Sequence, residues 1–214
     1  MEYCNFCNIP KNKANLPVAD TVLFENQNFY VITSIGCLVK DYLMIVSKRH
    51  IVSMCYLNKN EKKDFQCLVN KLKKVLFDIH QFYPIIFEHG GVNHDINRSA
   101  CCIMHAHVHI VPHVLTNEKE MIDKLSLMQI SSYADLFADM YEKPYLFFSN
   151  NYGDMYLRDV IDIVPSQIIR KWIAHDIGIN EKWDWKEYPF DENIISTVEK
   201  MKLLLPNYNT RGML

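Results

Sequence analysis

The sequence predicts an α+β fold: an antiparallel sheet with one covering helix, followed by a mixed α/β extension. Two observations lead to this. His105-Ala106-His107-Val108-His109-Ile110-Val111 alternates imidazole with apolar side chains, which is the period of a half-buried strand. Its imidazoles share one face, spaced about 7 Å apart, while Ala106, Val108 and Ile110 turn to a core. From Asn58 to Tyr83, Phe65, Leu68, Val69, Leu72, Val75, Leu76 and Ile79 recur at helical spacing. Asn58 and Glu61 stand ahead of them as a capping box.

The remaining elements follow in chain order. Cys4-Asn5-Phe6-Cys7 has the spacing of metal ligands and equally of a redox pair. Residues 22–32 read as two short strands around the polar turn Glu25-Asn26-Gln27-Asn28, and Tyr42 to Val46 as a third. That strand runs into Ser47-Lys48-Arg49-His50. Pro84 ends the long helix, and Ile85 to Glu88 is a strand. From His89 to Ala100 the chain is a polar loop that delivers Cys101 and Cys102 to the histidine strand, the kind of segment where substrate contacts concentrate.

Beyond residue 115 the chain reads as an extension, so residues 1–115 form one domain and 116–214 pack on it. Asn117 and Glu120 form a second capping box, opening a helix through about Met128. Tyr145–Phe148 and Met155–Leu157 make a hairpin across Asn150 to Gly153. Pro165-Ser166 opens a helix with Ile168, Ile169, Trp172 and Ile173 on one face. Trp183-Asp184-Trp185 lies in a loop, and Asp191 caps a last helix facing inward with Ile194, Ile195, Val198 and Met201.

Composition narrows the function. A formal charge of −2 with 22 % charged residues supplies no basic field for an extended nucleic acid. Lys71, Lys73 and Lys74 are a solvated helix face. Seven cysteines are an odd count, and the N-terminus has no charged head and apolar run of a signal peptide, so reduced thiols and a cytoplasmic setting are expected. No apolar run approaches the roughly 20 residues that span a bilayer, so no membrane association is expected. Six of the nine histidines crowd between His89 and His113, and imidazole there serves as nucleophile, general base or metal ligand.

The His-apolar-His-apolar-His-apolar-apolar run of His105 to Val111 resembles the signature of the histidine-triad (HIT) superfamily of nucleotide hydrolases and transferases. Leu38 to Ile51 is similar to the family's strand ending in Pro-Lys-basic-His, here Ser47-Lys48-Arg49-His50, and Cys4-x-x-Cys7 is similar to its zinc-bearing branch. The likeness covers residues 1 to about 115 and implies a HIT-like antiparallel sheet. It implies a structural zinc on Cys4, Cys7, His50 and His105, a closed tetrahedral set with no place for a catalytic water. It further implies a nucleotide or nucleotide-conjugate substrate, with His107 as the nucleophile that forms a covalent nucleotidyl-imidazole. His109 would donate to phosphate oxygens, and Ile32, Ser34, Ser99, Cys101 and Cys102 would contact substrate. Small members pair into homodimers; here the extension is an alternative cover for that surface.

The chain departs from the family pattern in several places. Ser34 stands where an aspartate takes the ribose hydroxyls, and Cys102 where a hydroxyl assists the leaving group. Glu88 replaces an asparagine, Ser47 replaces a proline, and the loop before the triad is longer. Tyr145–Phe148, Pro165-Ser166-Gln167 with Arg170, and Trp183-Asp184-Trp185 are similar to the tails of some long HIT-like proteins. Gln167 and Arg170 are there placed to reach a phosphate. Two other readings stand beside the enzyme: a non-catalytic nucleotide-binding regulator, and a metalloenzyme whose metal sits on His105, His107 and His109 together. The last leaves Cys4, Cys7 and His50 without a fourth ligand.

Overall fold

A computed structural model describes residues 4–92, 103–162 and 164–207, and its strands form one antiparallel sheet in the order β1-β2-β3-β5-β4-β7-β8-β6. The strands are β1 (Phe24–Glu25), β2 (Phe29–Thr33), β3 (Leu43–Ser47), β4 (Ile85–Gly90), β5 (His107–Val111), β6 (Met128–Ile130), β7 (Tyr145–Ser149) and β8 (Met155–Asp159). The helices are α1 (Asn5–Asn8), α2 (Lys59–His80), α3 (Glu118–Lys124), α4 (Tyr133–Asp139), α5 (Ile168–Asp176) and α6 (Asp191–Leu204). The histidine strand β5 lies between β3 and β4, pairing Met44 with His109, Val46 with His107 and Phe87 with His109. The extension contributes β7, which takes the outer edge of β4 with Phe87 opposite Phe148. One sheet therefore runs through both parts of the chain.

Alternation along the strands divides the interior. Val31, Ile45, Val108 and Ile110 join a large core with Phe65, Leu68, Val69, Leu72, Val75 and Leu76 of α2. Each such side chain contributes roughly 1.5–3 kcal/mol on burial. Tyr30, Ile32, Met44 and Val46 belong instead to a smaller cluster with Phe6 and Ile9 of the N-terminal segment. The helix α2 starts where its capping box predicts: the Asn58 side chain accepts from the Glu61 amide, and the Glu61 carboxylate from the Asn58 amide. Arg49, next to His50, is held by two bonds to that same carboxylate, at 2.9 and 2.7 Å.

Several local expectations differ from the structure. Pro84 does not end α2; the helix stops at His80, where Gln81 takes a left-handed cap (φ 63°) and its amide bonds the Phe77 carbonyl. His89 and Gly90 are not loop, because pairing with β7 extends β4 through Gly90. Asn117 makes no side-chain cap, and α3 stops at Lys124, because Ser126 turns left-handed (φ 52°) and Met128 joins the sheet. The capping box in this region belongs to α4, between Ser132 and Asp135, a helix too short to show a periodicity. Pro165-Ser166 precedes α5 without entering it, and Asp191 is the first residue of α6, with Phe190 at the cap position. On α6, Ile195 is 45 % exposed, and Thr197 takes the inward place beside Ile194, Val198 and Met201. No helix among the described residues is long and apolar enough to cross a membrane.

Glu88 sits in the core on β4, 1 % exposed, accepting from the Met54 amide at 2.9 Å and from the Tyr145 hydroxyl. Burial pushes its carboxyl up from 4.5 to about 7, against the pull of both bonds. The folded protein thus holds a proton that the unfolded chain releases, and stability falls as pH rises from 4.5 to about 7. The loss is on the order of 3 kcal/mol. Urea unfolding across that window measures it. In Glu88→Gln, where the amide mimics the protonated acid, the slope is expected to flatten; an unchanged slope would assign it to another group.

Candidate active site

The alternation of β5 turns His107 and His109 to the face opposite Val108 and Ile110. Their ring centroids lie 5.0 Å apart. His107 Nδ1 donates to the carbonyl of His105 at 2.7 Å. A carbonyl only accepts, so the His107 proton is on Nδ1 and the Nε2 lone pair is free. Burial holds the His107 pKa below its usual value, so the ring is neutral near pH 7. His109, 8 % exposed, stacks on Phe87 with centroids 4.5 Å apart, and its Nδ1 lies 2.9 Å from the Tyr42 hydroxyl.

These two histidines line a cleft with about 100 Å³ of enclosed space, partly open to solvent. Ile32 and Met44 come from the sheet, Asn5 and Phe6 from α1, and Ser34 and Ile35 from the turn after β2. Asp20, His89 and Ile103 also line it, as do Gln167, Arg170 and Trp185 from the extension. Of the expected substrate contacts, the structure thus brings Ile32, Ser34, Gln167 and Arg170 to His107; Ser99, Cys101 and Cys102 lie outside the described residues. Ser34 donates its hydroxyl to the Ile35 carbonyl at 3.0 Å. Burial raises the Asp20 carboxyl above its ordinary range, a cost that a donor group on a ligand would offset.

Gln167 and Arg170 also support the Trp183–Trp185 turn. The Gln167 amide donates to Asp184 at 3.1 Å and accepts from the Trp185 amide at 3.3 Å. Arg170, 3 % exposed, donates to the carbonyls of Gly36 at 2.7 Å and Trp183 at 3.2 Å, and to the Tyr42 hydroxyl at 3.4 Å. Gly36 is required here: its φ is +72°, and a Cβ would lie 2.6 Å from the Arg170 guanidinium and 2.8 Å from the Trp185 backbone. Sequence reasoning did not find Tyr42, Asp20 or Trp185 as site residues. The only available signal was aromatic and acidic residues in turns, which is too common to select them.

The ligand atoms of Cys4, Cys7, His50 and His105 lie within 4.8 Å of one another. Nδ1 of His105 is 3.3 Å from the Cys4 sulfur and 3.5 Å from that of Cys7, and Nδ1 of His50 is 3.3 Å from Cys7. Tetrahedral zinc with sulfur and nitrogen ligands has edges of about 3.3–3.8 Å, and these three separations fall in that range, so the donor set is compatible with that ion. His105 Nε2 donates to the Ser47 carbonyl at 2.7 Å, which leaves the Nδ1 lone pair toward the sulfurs. Burial holds His105 down to about 4, hence neutral as a ligand must be. Burial and the adjacent Cys4 sulfur push the Cys7 thiol up to about 11, a balance that a divalent cation between the sulfurs reverses. His107 and His109 do not join this group among the described residues. The N-terminal segment is further tied by the Tyr30 hydroxyl, which donates to the Phe6 carbonyl at 2.7 Å, and it presses Phe6 against His107 with centroids 5.3 Å apart.

No family model and no curated protein matches the chain. Solved structures do. A member of the HIT family from Bacillus subtilis is 20 % identical, with 52 % of this chain and 74 % of that one covered at a TM-score of 0.43. A HIT family hydrolase from Clostridium thermocellum is 22 % identical, covering 54 % and 95 % at 0.42. A zinc-bound histidine-triad protein from Mycobacterium smegmatis is 18 % identical, covering 54 % and 78 % at 0.43.

Proposed function

We propose that this chain is a nucleotide hydrolase or nucleotidyl transferase that works through a covalent intermediate on His107. The observation behind this reading is the His105 carbonyl on His107 Nδ1, which keeps the Nε2 lone pair available in a neutral ring lining a cleft. That lone pair attacks phosphorus; the P–N bond forms as the bond to the leaving group breaks, and the leaving group departs with its electron pair. Water or another acceptor then displaces the imidazole, which recovers the pair, and the acceptor's proton passes to solvent. His109 faces the phosphoryl oxygens, and the buried charge of Arg170 favours an anion in the cleft. Ile32, Met44 and Phe6 offer an apolar bed for the base, and Asp20 an acceptor for a ligand hydroxyl or amine. The triad and Lys-Arg-His motifs, through their likeness to a nucleotide-binding family, point to a nucleotide as the substrate.

Zinc belongs to the same proposal. Bound by Cys4, Cys7, His50 and His105, it would supply a structural cross-link and no reactive water. The chain's own residues then do the chemistry, and turnover is expected to survive a chelator exposure that leaves the structural ion bound in the folded protein. The metalloenzyme reading predicts the reverse.

A panel of dinucleoside polyphosphates, nucleoside phosphoramidates and nucleotide sugars tests the proposal, each with and without phosphate. Release of a mononucleotide, with a nucleotidyl mass on the quenched protein, is the expected result. Binding without release across the panel would favour the regulator and overturn the enzyme.

A further inference from the structure

We infer that His107 and His109 hold opposite tautomers, and that Arg170, acting through the Tyr42 hydroxyl, sets the one on His109. The catalytic use of this pairing rests on the function proposed above; the pairing itself rests on contacts alone. Among the described residues the Tyr42 oxygen lies 2.9 Å from His109 Nδ1 and 3.4 Å from Arg170 Nη1, with the Ser34 hydroxyl, which donates to the Ile35 carbonyl, also beside it. A guanidinium has donors only, so Arg170 fills a lone pair on that oxygen. Tyr42 is 0 % exposed, and its hydrogen must find an acceptor inside the protein. The nearest acceptor is the Nδ1 lone pair of His109, at 2.9 Å, which puts the His109 proton on Nε2.

The protonation states agree with this assignment. Burial pushes the Tyr42 phenol up to about 12 against the pull of Arg170, so the hydroxyl keeps its proton. Burial first, then His107, His89 and Arg170, hold His109 well below its usual value, so its ring is neutral and has one proton to place. Phe87, stacked at 16°, and Tyr42, edge-on with centroids 5.7 Å apart, restrict the ring against rotation. Arg170 is itself anchored by the Gly36 and Trp183 carbonyls, so its Nη1 does not swing away.

The result is a division of labour on one strand. A main-chain carbonyl gives His107 a free Nε2 lone pair, while Tyr42 gives His109 an Nε2–H. A nucleophile then stands beside a neutral hydrogen-bond donor, and neither imidazole competes for the other's role. Tyr42 and Arg170 are positioning residues, and through Arg170 the extension completes the site.

Nitrogen-15 shifts of the histidine rings in the full-length protein at neutral pH read the tautomers directly. The native protein is expected to show His109 protonated on Nε2 and His107 on Nδ1. In Tyr42→Phe the His109 nitrogens should move to a mixed-tautomer average while those of His107 stay put, and kcat should fall roughly 10-fold with KM little changed. An Nδ1–H on native His109, or an unshifted Nε2–H in Tyr42→Phe, would overturn the inference. If Tyr42→Phe does not fold, the native spectrum and Arg170→Gln decide by the same criterion. A protein with these tautomers but no turnover on any panel substrate would keep this assignment and remove the proposed reaction.

Discussion

His107→Ala is expected to abolish mononucleotide release, by at least roughly 10³-fold in kcat, while substrate binding persists. The size of the effect follows from losing the atom that forms the covalent bond; other positioning groups cannot replace it. Structural damage should be small, because His107 is only partly buried and its hydrogen bond among the described residues is to a main-chain carbonyl. Zinc content and the melting curve should therefore match the native protein. The nucleotidyl mass adduct should vanish with the turnover. If the variant kept its adduct, the nucleophile would be another residue. A kcat within a few-fold of native would remove the covalent mechanism.

The second large effect concerns the N-terminal cysteines. Cys4→Ala/Cys7→Ala is expected to lose its zinc and, with it, on the order of 10 kcal/mol of cross-linking free energy. That is comparable with the whole net stability of a domain. The melting temperature should fall by roughly 20 °C or more, if a cooperative transition remains at all. Activity should fall too, because the released segment takes Asn5 and Phe6 out of the cleft wall and Phe6 away from His107. Metal analysis of the folded fraction together with thermal melts makes the check. Full zinc content in that variant would place the metal elsewhere.

The triad strand and α2 were legible from sequence because their causes are local. Alternation set which face His107 and His109 share, and the Asn58–Glu61 box set where α2 begins. The grouping of Cys4, Cys7, His50 and His105 was expected for a different reason, the likeness of the cysteine pair and the triad to a zinc-bearing family, and their ligand atoms lie within 4.8 Å of one another. Ends of elements were read less well, as with the left-handed stops at Gln81 and Ser126, because the surrounding fold can hold an unbranched non-glycine residue in αL without any local sequence signal.

Tertiary structure alone decided the rest. Tyr42 and Arg170 are separated by 128 positions, and nothing within a few residues of either announces that a phenol and a guanidinium will meet over His109. The outer edge of β4 was likewise taken by β7, so the extension continues the sheet that holds the triad. Periodicity and capping act over one or two turns of chain. Which distant surfaces meet is settled by burying apolar faces and pairing every buried donor, and that condition is satisfied only by the whole fold.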